Sequence, residues 1–144
     1  MKNPVEIATS LAKHYGHKLE KPIIYTQGVA LSGRIRVQTA LGGADKTLED
    51  IERIVSPYLI QPSSTFGMDD GTANYAGVCW ADELAEATGD RKYLQLIELA
   101  AQRFGPTLNE GPLDLDLRVE DIFFASTVLG RAFRSTGKTK YVDL

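Results

Sequence analysis

The chain has 144 residues, of which 43% are hydrophobic and 24% are charged, and its formal net charge is −3. This length suits one domain with its own core, and the acidic balance argues against a nucleic-acid-binding protein. The single cysteine, Cys79, excludes an internal disulfide, and no segment resembles a signal peptide or a membrane span. We therefore expect a cytoplasmic protein.

Helical periodicity predicts three elements in the first part of the chain. Apolar residues at helical spacing follow Pro4 and end near Gly16. A second helix is predicted from Tyr25 to about Leu41, with Gly42-Gly43 as its stop. A third helix follows a cap at Asp45 or Thr47. Its apolar residues form one stripe, made of Leu48, Ile51, Ile54, Val55 and Tyr58.

Three further helices are predicted in the second part. The fourth helix starts within 70–74 and ends at Thr88-Gly89. Asp90 caps the fifth helix, which is apolar on one stripe and stops at Gly105-Pro106. The sixth helix runs from about Val119 to Ser135 and has apolar residues around most of its circumference.

A glycine-centred motif between consecutive helices occurs three times. Its glycines are Gly43, Gly89 and Gly137, and the interval between them is nearly constant. A period of this size is typical of α-helical repeats. The second, fourth and sixth helices are rich in small residues or apolar nearly all round, which indicates inner helices covered by striped outer ones. We expect one all-α domain over residues 1–144 that is truncated at its C-terminal end, because three hairpins do not close a ring.

Two motifs resemble the six-hairpin (α/α toroid) glycosidases. The segment Thr88–Leu94 is similar to the turn between an inner and an outer helix of that fold. The segment Val119–Phe124, followed by Thr136-Gly137, resembles the active-site helix of the unsaturated rhamnogalacturonyl and glucuronyl hydrolases. The resemblance implies an incomplete (α/α) toroid, with about three of six hairpins, that hydrolyses unsaturated uronyl oligosaccharides.

The resemblance also implies which residues carry the chemistry. In those enzymes a carboxyl group protonates the 4,5 double bond of the sugar and water adds at the neighbouring carbon, without metal or cofactor. Counted without gaps, the family's catalytic aspartate falls on Glu120, beside Asp121, and the second carboxylate is expected near Asp69 and Asp70. If the inner helices are parallel, their starts share one mouth that favours an anionic sugar. The alternative role for Asp70 and Asp121 is helix capping.

Several other residues are candidates for substrate contacts, each with a structural alternative. Four of them lie near the predicted helix starts: Tyr25, Gln27, Asn74 and Tyr75. Arg118 can pair with a uronate carboxylate or with a neighbouring acid. Trp80 offers a flat face for a sugar ring, but its place well inside an inner helix favours core packing. His14 and His17 have no third ligand in the pattern, so no metal site is predicted.

Two other functions stay open. The adjacent Asp69-Asp70 pair resembles the pair used by toroid glycosidases of the endo-α-mannanase type. Alternatively, the chain is a non-catalytic half-toroid that self-associates through its open edge, since an exposed inner helix would present an apolar face. In either glycosidase interpretation the partner is an oligosaccharide, and no nucleic acid or membrane is involved.

Overall fold

The computed structural model describes residues 3–42, 46–62, 65–66, 71–104 and 119–143. These residues form α-helices and short 3-10 turns and contain no strand, which confirms the all-α prediction for this part of the chain. The helices are α1 (Pro4–His14), α2 (Tyr25–Leu41), α3 (Lys46–Ile60), α4 (Thr72–Ala76), α5 (Ala81–Thr88), α6 (Leu94–Gln102) and α7 (Val119–Thr136). None of these described helices combines the length and apolar character that a bilayer crossing requires.

The glycines that end α2, α5 and α7 share one backbone conformation. Gly42, Gly89 and Gly137 follow these helices directly and have φ angles of 60°, 74° and 69°. Glycine enters this left-handed region without the steric cost of a side chain, so it stops each helix and lets the chain turn. The first stop is Gly42 rather than Gly43, which lies outside the described residues. The left-handed glycine that ends an inner helix therefore recurs at positions 42, 89 and 137.

The predicted fourth helix is interrupted, and this corrects the sequence analysis. Turns at 77–80 separate α4 from α5. The interruption lies where the chain passes closest to α2, because a Cβ added at Gly28 would overlap the backbone of Gly77. A Cβ added at Gly77 would in turn overlap the side chain of Ile23. The absence of a side chain at Gly28 thus allows the close contact between α2 and the backbone of Gly77.

The helices form two layers. In the inner layer α2 and α7 lie on either side of α4 and α5. In the outer layer α3 packs against both α2 and α5, and α6 packs against both α5 and α7. Each of these outer helices covers a seam between two inner ones. The core between the layers is apolar, and its largest fully buried side chains include Leu31, Ile35, Ile51, Trp80, Tyr93, Leu84, Leu96, Ile97 and Val128.

The two ends of the inner layer are less covered than the sequence pattern predicts. An α7 helix that is apolar nearly all round is expected to be buried on all sides, but Ile122 is 63% exposed and Phe123 is 53% exposed. At the other end α1 packs on α2, yet none of the residues of α1 is buried. The described part of the chain therefore leaves apolar residues of both helices in contact with solvent.

Candidate functional site: a mouth at the helix starts

The starts of three inner helices meet at one point. Thr72 opens α4 and donates a hydrogen bond from Oγ1 to Oδ1 of Asp121 in the first turn of α7. Tyr25 opens α2, and its ring lies 4.7 Å from that of Phe124 in α7, measured between centroids. We call the surface formed by Tyr25, Thr72, Glu120, Asp121 and Phe124 the mouth. The helices that build it begin at a constant interval along the chain, at positions 25, 72 and 119.

Two adjacent carboxyl groups at the mouth have different surroundings. Asp121 is 5% exposed and its carboxylate accepts the hydrogen bond from Thr72, whereas the neighbouring Glu120 is exposed. Both lie in the first turn of α7. Different environments let neighbouring carboxyl groups take different roles in acid–base chemistry. The orientation of Asp121 is fixed by its contacts, while Glu120 is in contact with solvent.

Two predicted contact residues hold the backbone around the mouth. The amide of Asn74 donates from Nδ2 to the carbonyl oxygen of Ile23 at 2.8 Å and accepts from the backbone N–H of Gly71 at 3.2 Å. The side chain of Gln27 accepts from the backbone N–H of Glu20 at 2.9 Å. Asn74 thus joins the segment before α2 to the start of α4, and Gln27 joins the same segment to the start of α2, so both amides position the backbone around the mouth.

The remaining predicted contact residues are placed differently. Tyr75 is buried, and its ring packs against those of Phe66 and Phe104 at centroid distances of 4.9 and 5.8 Å. Trp80 is completely buried beside Tyr93. Both rings belong to the core, as the structural alternative for Trp80 anticipated, and neither offers a face to a sugar. Three other candidates, Asp69, Asp70 and Arg118, lie outside the described residues.

A second polar cluster, farther along the inner helices, was missed by the sequence analysis. Glu83 accepts hydrogen bonds from Ser32 and from Nε of Arg36, the latter at 2.8 Å. Arg131 bridges two carboxylates, donating from Nη1 to Asp82 at 2.7 Å and to Glu83 at 2.9 Å. We call this the arginine–carboxylate cluster; its members are Ser32, Arg36, Asp82, Glu83, Arg131 and Arg134, which also pairs with Asp82.

The signal that could have revealed this cluster is its period. Arg36, Glu83 and Arg131 recur at the same spacing as the glycines that end their helices. Charged residues at equivalent repeat positions on inner helices are expected to face one another. Their alternating sign then predicts ion pairs across both seams of the inner layer.

Burial and charge compete at Glu83. Burial of the carboxyl acts to raise its pKa, but the hydrogen bonds from Arg36 and Ser32 and the charge of Arg131 outweigh this, so the pKa lies below its usual value. The nearby thiol of Cys79 shows the opposite outcome, because burial raises its pKa to about 11. A thiol in this state is not a nucleophile at neutral pH. The arginine–carboxylate cluster joins α2, α5 and α7 through charged hydrogen bonds.

The two histidines make local contacts with the backbone. His14 and His17 contact backbone carbonyl oxygens of their own segment, those of Ser10 and Ala12. Within the described ranges no three or more histidine, cysteine, aspartate and glutamate side chains come together in a way that could hold a metal ion.

No family model, curated protein or solved structure matches this chain.

Proposed function

We propose that the chain is a glycoside hydrolase of the (α/α) toroid type, and that its mouth acts on unsaturated uronyl oligosaccharides. The observation that carries the proposal is the buried carboxyl of Asp121 at the point where the starts of α2, α4 and α7 meet. Helix starts attract an anionic sugar, and the exposed edge of Tyr25 offers an aromatic surface beside them.

The chemistry requires one positioned proton donor. In a 4,5-unsaturated uronate the double bond is conjugated with the ring oxygen, so protonation at C4 places positive charge at C5. Water then adds at C5 and returns a proton to the carboxylate, so that a single carboxyl serves first as acid and then as base. The hemiketal formed at C5 opens to a ketone by breaking the bond from C5 to the ring oxygen. This leaves a hemiacetal at C1, which expels the next sugar as an alcohol and so breaks the glycosidic bond. Asp121 suits the role of acid and base because Thr72 holds its carboxyl in place. Glu120 is exposed and adds negative charge that stabilises the cationic intermediate.

The test is the loss of ultraviolet absorbance of the unsaturated uronate on a panel of disaccharides generated by polysaccharide lyases. We expect the wild-type chain to consume at least one of them. Asp121→Asn is expected to reduce the rate about 100-fold or more, the range typical of a lost general acid. Glu120→Gln keeps the proton donor and is expected to lose less activity than Asp121→Asn. Glu86→Gln is the matched control, because Glu86 is an exposed carboxyl on α5 outside the mouth, and it is expected to keep the wild-type rate.

Circular dichroism shows whether each variant keeps its helices. A folded wild-type chain that consumes no member of the panel would contradict the proposal. So would an Asp121→Asn variant with wild-type activity, because the carboxyl would then have no chemical role.

A further inference from the structure

Two apolar surfaces are exposed at the ends of the inner layer in the described part of the chain. At one end an apolar groove with a volume of about 360 Å³ runs between α1 and α2. We call it the α1–α2 groove; among its lining residues are Leu11, Tyr15, Val29, Gly33 and Val37. At the other end one side of α7 is exposed. We call it the α7 face; its residues are Val119, Ile122, Phe123, Ser126, Gly130 and Phe133.

The packing of the outer helices α3 and α6 indicates which kind of element would fill the α1–α2 groove. Both α3 and α6 lie over a seam and pack against two successive inner helices. Of the described inner helices, only α2 has substantial contact with α1. Leu11 in α1 is 53% exposed, and Tyr15, which follows the helix, is 60% exposed. The apolar stripe of α1 is half-exposed because α1 lacks the second inner helix against which α3 and α6 each pack.

Glycines mark close helix approach in this fold. Inside the chain, Gly28 and Gly77 let α2 meet the next inner segment backbone to backbone. Gly33 in the groove and Gly130 in the α7 face stand in the middle of helices, where glycine weakens a helix relative to alanine. A Cβ added at either position meets no described atom within 4 Å. Each open surface thus carries a glycine that no contact within the described fold requires.

We propose that the α7 face of one copy docks in the α1–α2 groove of a second copy, head to tail. The inner helices start at a constant interval, so the helix that would follow α7 in the repeat is equivalent to α2. A second copy supplies that α2 together with its own α1 as the outer cover. The contact continues the seams already present within the chain. A head-to-tail contact that closes produces a ring of copies. The inference does not depend on the hydrolase activity.

Light scattering after size-exclusion chromatography tests this. We expect a mass at least twice the 15.8 kDa of one chain. Ile122→Asp in the α7 face and Val29→Asp in the groove should each give a monomer. The matched control is Ile60→Asp, since Ile60 is 80% exposed at the end of α3 and lies outside both surfaces. Its mass should equal that of the wild type.

Mixing the two monomeric variants distinguishes head-to-tail docking from a symmetric contact. The intact α7 face of the Val29→Asp copy can enter the intact groove of the Ile122→Asp copy, so the mixture is expected to form a heterodimer through one seam. A wild-type chain with the mass of a monomer would overturn the proposal. So would a Val29→Asp variant that keeps the wild-type mass, because the α7 faces would then pair with each other. Circular dichroism confirms that each variant is folded.

Discussion

Glu83 is a residue whose charge is stabilised only by folding. Arg36, Ser32 and Arg131 keep its pKa below the usual 4.5 despite burial. The unfolded chain therefore takes up this proton at a higher pH than the folded chain. The resulting stabilisation is fully present above about pH 4.5, and it is lost as pH falls through that value towards the folded-state pKa.

The corresponding prediction concerns Glu83→Gln. This variant is expected to be less stable at neutral pH, and its free energy of unfolding should fall less steeply below pH 4.5 than that of the wild type. Urea unfolding at a series of pH values measures the slope. Glu86→Gln, an exposed site on the same helix, is the control and should keep the wild-type slope. Equal slopes for wild type and Glu83→Gln would show that the pairs contribute nothing.

At the scale of elements, the contact between α2 and the 77–80 turns depends on a missing side chain. Gly28→Ala is expected to destabilise the protein by about 1–3 kcal/mol, because its Cβ would overlap the backbone of Gly77. Gly33→Ala on the same helix has open space and should stabilise it by about 0.5–1 kcal/mol. Urea unfolding of dilute protein compares the two. Similar effects at both sites would mean that the close approach does not exist.

The sequence predicts best those helices whose limits are set by residues within or next to the helix itself. α2 spans Tyr25–Leu41 as predicted, because its end is set by a local signal, the left-handed glycine Gly42 that follows it. The break between α4 and α5 was not predictable in this way. It lies where Gly28 meets Gly77, in a packing contact between segments that are distant in the sequence. The helix propensity of a short stretch of sequence carries no information about contacts with distant segments.

The candidate site also contains some features that the sequence predicts and others that depend on contacts between distant segments. The position of Asp121 at the start of an inner helix was predictable, and so was the meeting of helix starts. The roles of Asn74 and Gln27 depend on backbone partners that the sequence does not identify. In the sequence, the charged residues of the arginine–carboxylate cluster resemble solvated surface residues, and only their constant spacing indicates partners across the seams. Burial then turns them into the polar contacts that join three helices.

At the scale of the whole molecule, the arginine–carboxylate cluster is the polar link across both inner seams. Arg131 on α7 contacts Asp82 and Glu83 on α5, and Glu83 in turn binds Arg36 on α2. Without Arg131, Asp82 keeps its pair with Arg134, and Glu83 keeps its contacts with Arg36 and Ser32. Two nearly buried carboxylates then lose part of the positive charge that compensates them, which is unfavourable in a poorly solvated place. The loss of Arg131 should therefore weaken the assembly of all three helices rather than one local contact.

Arg131→Met is accordingly expected to lower the free energy of unfolding by about 2 kcal/mol. The methionine keeps most of the apolar volume, so the change reports mainly on the lost charge. Arg53→Met is the matched control, because Arg53 is largely exposed and pairs with Asp50 at 2.6 Å within α3. An exposed pair of this kind contributes less than about 1 kcal/mol. If urea unfolding gave equal losses for both variants, the buried cluster would add nothing beyond a surface ion pair, and the inner layer would be held by its apolar contacts alone.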